Sequence, residues 1–399
     1  MVSPKKILFL NFQFPFANHS HALCFTNMLY RLLDFDKEKR IEYHLLSFNV
    51  IHADLTTYKT SYDYFQSNYE PKIKKNTIHF RKTKKESGFN SFIEFFRAAL
   101  EVRRYIKEEK IEIVYLYSDS ALYLILFSLN REVKIIFDCR GDFISEQKAL
   151  GYSAFRLFIH KIILRITVSR MNKIFISSTK LREIFIKWRS DDIFYLNSNY
   201  YDDRFFKFLT LHKDSNITRF IYTGGIAKYQ LLEESIKLFK DYYDLYPDSE
   251  LILLVLNNHD YVRNLLEKHG ISSSLYKLKS VSNPEVINEY LNNSDIGIML
   301  RDDNLLNYYA LPTKFAEYLA AGLPVISTKG VYDTWKMIKD NSIGIIIDLK
   351  KDFKQEAKCI HEYLNNDEQL TKKCAEFAYR NLSWSANIER IYNEILSVE

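Results

Sequence analysis

Thr313, Lys314, Phe315 and Glu317 stand where one short stretch of chain could hold a phosphate and a ribose together. They lie in IMLRDDNLLNYYALPTKFAEYLAAGLPVIST, Ile298 to Thr328, which reads as strand, loop, short helix and second strand. Pro312 and Thr313 suit a helix start, with Thr313 the candidate N-cap. Gly322 is placed for a left-handed C-cap, with Pro324 just beyond. The first N–H groups of a helix have no partner within it, so the backbone near Lys314 and Phe315 forms an anion site. Glu317, one turn further in, can accept bonds from the two vicinal hydroxyls of a ribose. The plain alternative is that Glu317 only pairs with Lys314 on the surface.

Three other groups carry chemistry. Gly224 and Gly225 end the strand-like TRFIYT, where glycine lets backbone approach a diphosphate, and Lys228 follows as a counter-charge. A tight turn would use the same glycines. Arg301, just past a strand end, is a second cation for an anion or one half of a surface salt bridge. FDCRGDFISE packs Asp138, Arg140, Asp142 and Glu146 behind another strand. Charges gathered at a strand end suggest acceptor or phosphate handling, with Asp142 and Arg140 as catalytic candidates beside Lys228 and with Asp138 and Glu146 as acceptor candidates. A charged loop with internal ion pairs would look alike.

The elements that must position these residues alternate strand and helix. KKILFLNF, IEYHLLSF, IEIVYLYS, VKIIFDCR and NKIFISS are short apolar runs, as buried parallel strands should be. Helical patterns lie between them. The second half repeats the rhythm: TRFIYT, ELILLVLN, LYKLKSV, DIGIML, LPVIST and GIIID are strands, and PEVINEYLNNS opens a helix on proline. Such alternation predicts α/β architecture with parallel sheets covered on both faces. At 399 residues, two domains are expected, with a boundary in the polar stretch Asn197 to Asp203.

PTKFAEYLAAGLPVIS resembles the donor-binding segment of retaining glycosyltransferases of the GT-B fold, especially the family-4 class. IYTGGIAKY, PDSELILLVL and SNPEVINEYLNNSDIGIML resemble further parts of it in the right order, over nearly all of residues 218 to 348. The N-terminal half matches in strand and helix rhythm alone. The resemblance implies two doubly wound Rossmann-like domains facing each other across a cleft: an acceptor-side domain over 1–200 and a nucleotide-sugar domain over 201–383, with a C-terminal helix at 384–399 returning to the first. It assigns the diphosphate to Gly224, Gly225, Lys228, Arg301, Thr313, Lys314 and Phe315, the ribose to Glu317 and the base to Val281 and Ser282. It also places a loop near donor and acceptor after the first strand, where His19 and His21 stand without the usual glycines, His21 as an acceptor candidate or in a structural role. Many members carry two glutamates separated by seven residues. Here the second is Glu317, and the first position is Tyr309.

The implied activity is transfer of a sugar from a nucleoside-diphosphate sugar to a hydroxyl, with retention. A nucleotide-sugar epimerase or a non-catalytic nucleotide-sugar-binding subunit would use the same fold. No cofactor is expected, and no metal, because Asp302-Asp303 makes a poor DxD motif. A net charge of +6 suits anionic ligands and falls short of a nucleic-acid binder's basic footprint. The basic run Lys72, Lys74, Lys75, Arg81, Lys82, Lys84 and Lys85 reads as a solvated loop or strand edge, or as a site drawn to anionic lipid. AFRLFIHKIILRITVSR is apolar and basic together. It is a domain helix with one buried face or an amphipathic helix on a bilayer, which would suit a lipid-linked oligosaccharide acceptor in surface-polysaccharide assembly. Four scattered cysteines and no membrane-spanning run make the cytoplasm, at the inner face of the membrane, the expected place.

Overall fold

The computed structural model describes residues 3–11, 20–49, 63–80, 88–117, 132–149, 151–209 and 217–398. The chain divides into two compact units, Met1–Ser198 with Ile388–Glu399, and Asn199–Asn387.

The first unit is built on seven strands: β1 (Lys5–Asn11), β2 (Ile41–Asn49), β3 (Lys75–Phe80), β4 (Ile113–Tyr117), β5 (Lys134–Cys139), β6 (Lys173–Ile176) and β7 (Phe194–Leu196). They lie in the order β3-β2-β1-β4-β5-β6-β7. All pairs are parallel, with Ile7 of β1 between Tyr43 and Ile113. Ile7 to Leu10 and Ile113 to Tyr117 are wholly buried, as central strands covered on both faces require. Sequence reading had KNTIHF inside a charged loop or strand edge, and it forms the edge strand β3. An edge strand has one neighbour and tolerates polar residues, which removes the apolar signal. Lys72 and Lys74 beside it pair with Asp34 (2.8 Å) and Glu42 (3.8 Å). The side chain of Lys75, and all of Arg81, Lys82, Lys84 and Lys85, lie outside the described residues. The helices used below are α1 (Ser20–Phe35), α2 (Gly88–Glu109), α3 (Phe143–Ala149) and α4 (Ala154–Val168).

The second unit holds six parallel strands, β8 (Thr218–Thr223), β9 (Ser249–Leu254), β10 (Tyr276–Lys279), β11 (Ile296–Met299), β12 (Val325–Ser327) and β13 (Gly344–Ile346), ordered β10-β9-β8-β11-β12-β13. Side chains alternate across the sheet. Ile221, Ile252 and Met299 enter one core, and Phe220, Tyr222, Leu251 and Ile298 enter the other. The longer helices are α5 (Leu232–Leu245), α6 (His259–Lys268), α7 (Pro284–Asn292), α8 (Thr313–Ala320), α9 (Tyr332–Asn341), α10 (Phe353–Asn365), α11 (Leu370–Leu382) and α12 (Trp384–Leu396). The last returns to the first unit, where Tyr392 donates to Asp36 (2.5 Å), Lys173 pairs with Glu394, and Lys5 donates to the Leu396 carbonyl (2.8 Å). Both units are α/β and doubly wound. In the second, the winding reverses between β8 and β11, and ligands of such sheets bind beyond the strand ends at that reversal.

Candidate active site

Thr223 and Gly224 end β8, and Arg301 follows β11, so these residues flank the reversal. Helix α8 crosses over it. Tyr318 of α8 accepts the Thr223 N–H (2.7 Å) and the Thr223 hydroxyl proton (3.1 Å), which pins the helix to the end of β8. Its ring lies flat on Gly297 inside β11, where any Cβ would run into it. A glycine inside a buried strand marks such a close approach. Gly297→Ala is therefore expected to push Tyr318 off Thr223 and cost about 1–3 kcal/mol, seen as a lowered denaturation midpoint.

The ends of α8 are set locally. Pro312 is the N-cap and Thr313 is the first helical residue, which corrects Thr313 as the cap. Pro312 has the extended backbone a cap needs (φ −66°, ψ 132°), and no side chain closes the turn. The Phe315 N–H bonds back to the Pro312 carbonyl (3.1 Å). The N–H groups of Thr313 and Lys314 have no partner among the described residues. At the other end Gly322 (φ +82°) closes the helix, with Leu323 N–H to Tyr318 O (2.9 Å) and Gly322 N–H to Leu319 O (2.9 Å).

Lys314 reaches back from this start to β8. A Cβ on Gly224 would overlap its Nζ, and its ammonium sits 5.7 Å from the Tyr222 ring centre. Arg301 is buried at 6% exposure and donates to the Leu300 carbonyl (3.2 Å). Among the described residues no carboxylate pairs with it. Its backbone is fixed by Thr328, which accepts from Arg301 N–H (3.1 Å) and donates to Arg301 O (2.6 Å). Burial, reinforced by the Arg301 charge, pulls the Lys314 ammonium down to about 7. Burial pushes the Glu317 carboxyl up to about 7, opposed by Lys314. Burial also lowers the Arg301 guanidinium from its ordinary value. Two cations held near each other, Arg301 buried and Lys314 half-buried, at a helix start with unpaired N–H groups, form a site that an anion would relieve.

The loops around it are tied together. Gln230, which sequence reading passed over, accepts from Gly225 N–H (3.0 Å) and Tyr222 OH (3.1 Å). Asn307 donates to the Tyr229 and Asp302 carbonyls (3.3 and 2.8 Å). Lys228 is exposed on this loop and makes no ion pair among the described residues, so the cation against the glycine turn is Lys314. Tyr309 packs edge-on to Tyr308 (5.2 Å), which meets Tyr332 (5.7 Å). Val281 packs on the core that contains Phe315, and Ser282 is exposed in the loop after β10.

In the first unit the charges at the end of β5 are mostly spent on one another. Asp138 is fully buried and accepts from Arg140 (2.5 Å), Tyr115 OH (2.6 Å) and Asn197 (3.3 Å). Arg140 also donates to the Asn197 and Ser198 carbonyls (3.1 and 3.4 Å), tying the end of β5 to the chain leaving this unit. Asp142 accepts from the N–H groups of Ile144 (3.2 Å) and Ser145 (3.3 Å) and from the Ser145 hydroxyl. Arg140 and Asp138 thus form an internal ion pair, and Asp142 caps α3, partners that burial and unpaired helix N–H groups demand.

Glu146 differs. It is half-buried over Gly141, and burial, aided by Asp142, pushes its carboxyl up to about 7. The folded state therefore holds a proton that the unfolded chain releases between about 4.5 and 7, and stability is lost as pH rises through that window. Glu146→Gln is expected to raise the melting temperature at pH 8, by an effect of about 1–3 kcal/mol, and to leave it nearly unchanged at pH 5. His19, and the side chain of His21 in α1, lie outside the described residues.

The Glycosyl transferases group 1 family model matches residues 203–381, which span nearly the whole second unit. No curated protein sequence matches the chain. Among solved structures, sucrose-phosphate synthase from Thermosynechococcus elongatus superposes with a TM-score of 0.73 at 11% identity, covering 99% of this chain and 100% of that one. HepE from Anabaena, in complex with UDP and glucose, gives 0.67 at 13% identity over 98% and 100%. The lipopolysaccharide outer core galactosyltransferase WaaB gives 0.70 at 11% identity over 98% and 99%. At such identities the structures establish the fold, and the family match supplies the chemistry. A Glycosyl transferases group 1 domain on a chain of GT-B fold makes this protein a glycosyltransferase.

Proposed function

We propose that the protein moves a sugar from a nucleoside-diphosphate sugar to a hydroxyl acceptor, with retention, in assembling a bacterial surface polysaccharide or glycolipid. The observation that carries this reading is Arg301, buried with no counter-charge among the described residues, beside Lys314 at an open helix start. A diphosphate supplies the missing negative charge. As the bond to the sugar breaks, charge grows on the leaving phosphate, and these fixed donors stabilise it without reorganising. Glu317 accepts the ribose hydroxyls, and Val281 and Ser282 line the base. Lys228 stands at the mouth of the glycine loop. Glu146, its carboxyl raised to about 7, serves the acceptor side, and no metal or cofactor is required. HepE, which binds UDP and glucose, and the lipopolysaccharide enzyme WaaB support the donor class and the glycan setting. Retention rests on the sequence resemblance. The acceptor is a lipid-linked oligosaccharide or glycan presented at the cytoplasmic face of the membrane.

A thermal-shift screen against UDP, GDP, ADP, CMP and their sugars tests this reading. Selective stabilisation by one diphosphate family supports it, since a ligand that binds only the native state raises its stability. No shift at millimolar ligand counts against it. Tyr309, standing where the family's first glutamate is usual, favours a second reading as a donor-binding subunit without turnover. Release of the nucleotide with transfer to any acceptor would exclude that reading.

A further inference from the structure

Helix α4 is apolar on two opposite sides. Leu164, Thr167 and Val168 are buried against the first unit. At one hundred degrees per residue, Phe155, Phe158, Ile159, Ile162 and Ile166 fall on the far side, at helical spacings of three and four. These five are exposed, Phe155 at 74% and Phe158 at 60%. Large side chains in one contiguous exposed stripe are unusual on a soluble surface and mark a site of contact. The same projection puts Lys161 and Arg165 along one flank of the stripe and Arg156 along the other, with Arg170 just past the helix end. The helix carries no acidic residue, and among the described residues Lys161 and Arg165 make no ion pair. Arg156 lies over the Tyr152 ring at 3.9 Å, which holds it beside the stripe.

We infer that α4 lies flat on an anionic lipid bilayer, with the two phenylalanines and three isoleucines in the interface and the flanking cations at the headgroups. The charge pattern selects this occupant. A second copy of the chain would bring its own cations against these, whereas an anionic surface matches cations on both flanks. No helix among the described residues is long and apolar enough to cross a membrane, so the contact is peripheral. The inference goes beyond the donor-site reading and does not depend on it.

The test is sedimentation of the full chain with vesicles of phosphatidylcholine, with and without about one third phosphatidylglycerol. Binding to the anionic vesicles, at least tenfold weaker to pure phosphatidylcholine and weaker again in high salt, is the expected result. The double variants Phe155→Ser/Phe158→Ser and Lys161→Glu/Arg165→Glu should each lose at least tenfold in binding while keeping their melting temperatures, because all four side chains are exposed. Undiminished vesicle binding by both folded variants would overturn the assignment. So would a dimer in light scattering that dissociates in Phe155→Ser/Phe158→Ser. Diphosphate-induced thermal shifts, measured without lipid, report on the donor site separately.

Discussion

Arg301→Met is expected to make the free protein more stable and the donor complex much weaker. Arg301 is buried at 6% exposure, is paired with no carboxylate among the described residues, and has its charged form disfavoured by burial. Replacing an uncompensated buried cation by an apolar side chain of similar length removes a desolvation penalty, a change worth about 1–4 kcal/mol in comparable cases. The same change deletes a charge-assisted contact to the diphosphate, worth about 1.5–3 kcal/mol or roughly tenfold to a hundredfold in affinity. Melting curves with and without UDP or GDP separate the two effects. The ligand-free midpoint should rise while the ligand-induced shift shrinks. A variant that melts lower yet keeps its full ligand shift would show that Arg301 supports the fold and not the anion.

Diphosphate affinity is expected to fall by up to about tenfold per pH unit above pH 7, and Lys314→Met should abolish that dependence. The sign follows from Lys314. Burial and Arg301 hold its ammonium near 7 in the free protein, well below the ordinary 10.5. An anion at the helix start raises it, so above pH 7 binding must take up a proton, and binding weakens as protons become scarce. Stability of the free protein runs the other way. Between about 7 and 10.5 the unfolded lysine holds a proton that the folded one has lost, so Lys314 makes the free protein more stable as pH rises. Calorimetric titration at pH 8 in two buffers of different protonation heat measures the uptake directly. Equal apparent heats in both buffers would mean that Lys314 does not meet the ligand.

Most strands and helices of the second unit were legible in the sequence, because its apolar runs are short, complete and punctuated by Gly224, Pro284, Gly322 and Pro324. Strand β3 was not, since an edge strand need not be apolar. Gly297 carried a signal that went unused: glycine within the buried run DIGIML foretells a close neighbour, though it cannot say that the neighbour is Tyr318.

Local pattern, then, determined the elements, the doubly wound class and the helix start at which a phosphate can be held. These depend on periodicity and on backbone groups that a short stretch leaves unpaired. The tertiary structure alone decided which charges are available. Asp138, Arg140 and Asp142 look as promising in sequence as Arg301 and Lys314. Folding brings the first two together and lays the third over a helix end, so their charge is spent. It buries Arg301 with no carboxylate paired to it among the described residues and swings Lys314 across to Gly224. The sequence left α4 as a domain helix with one buried face or a helix on a bilayer, and only the fold shows that an apolar stripe faces outward. Desolvation and pairing depend on what surrounds a side chain in space, and spacing along the chain does not encode it.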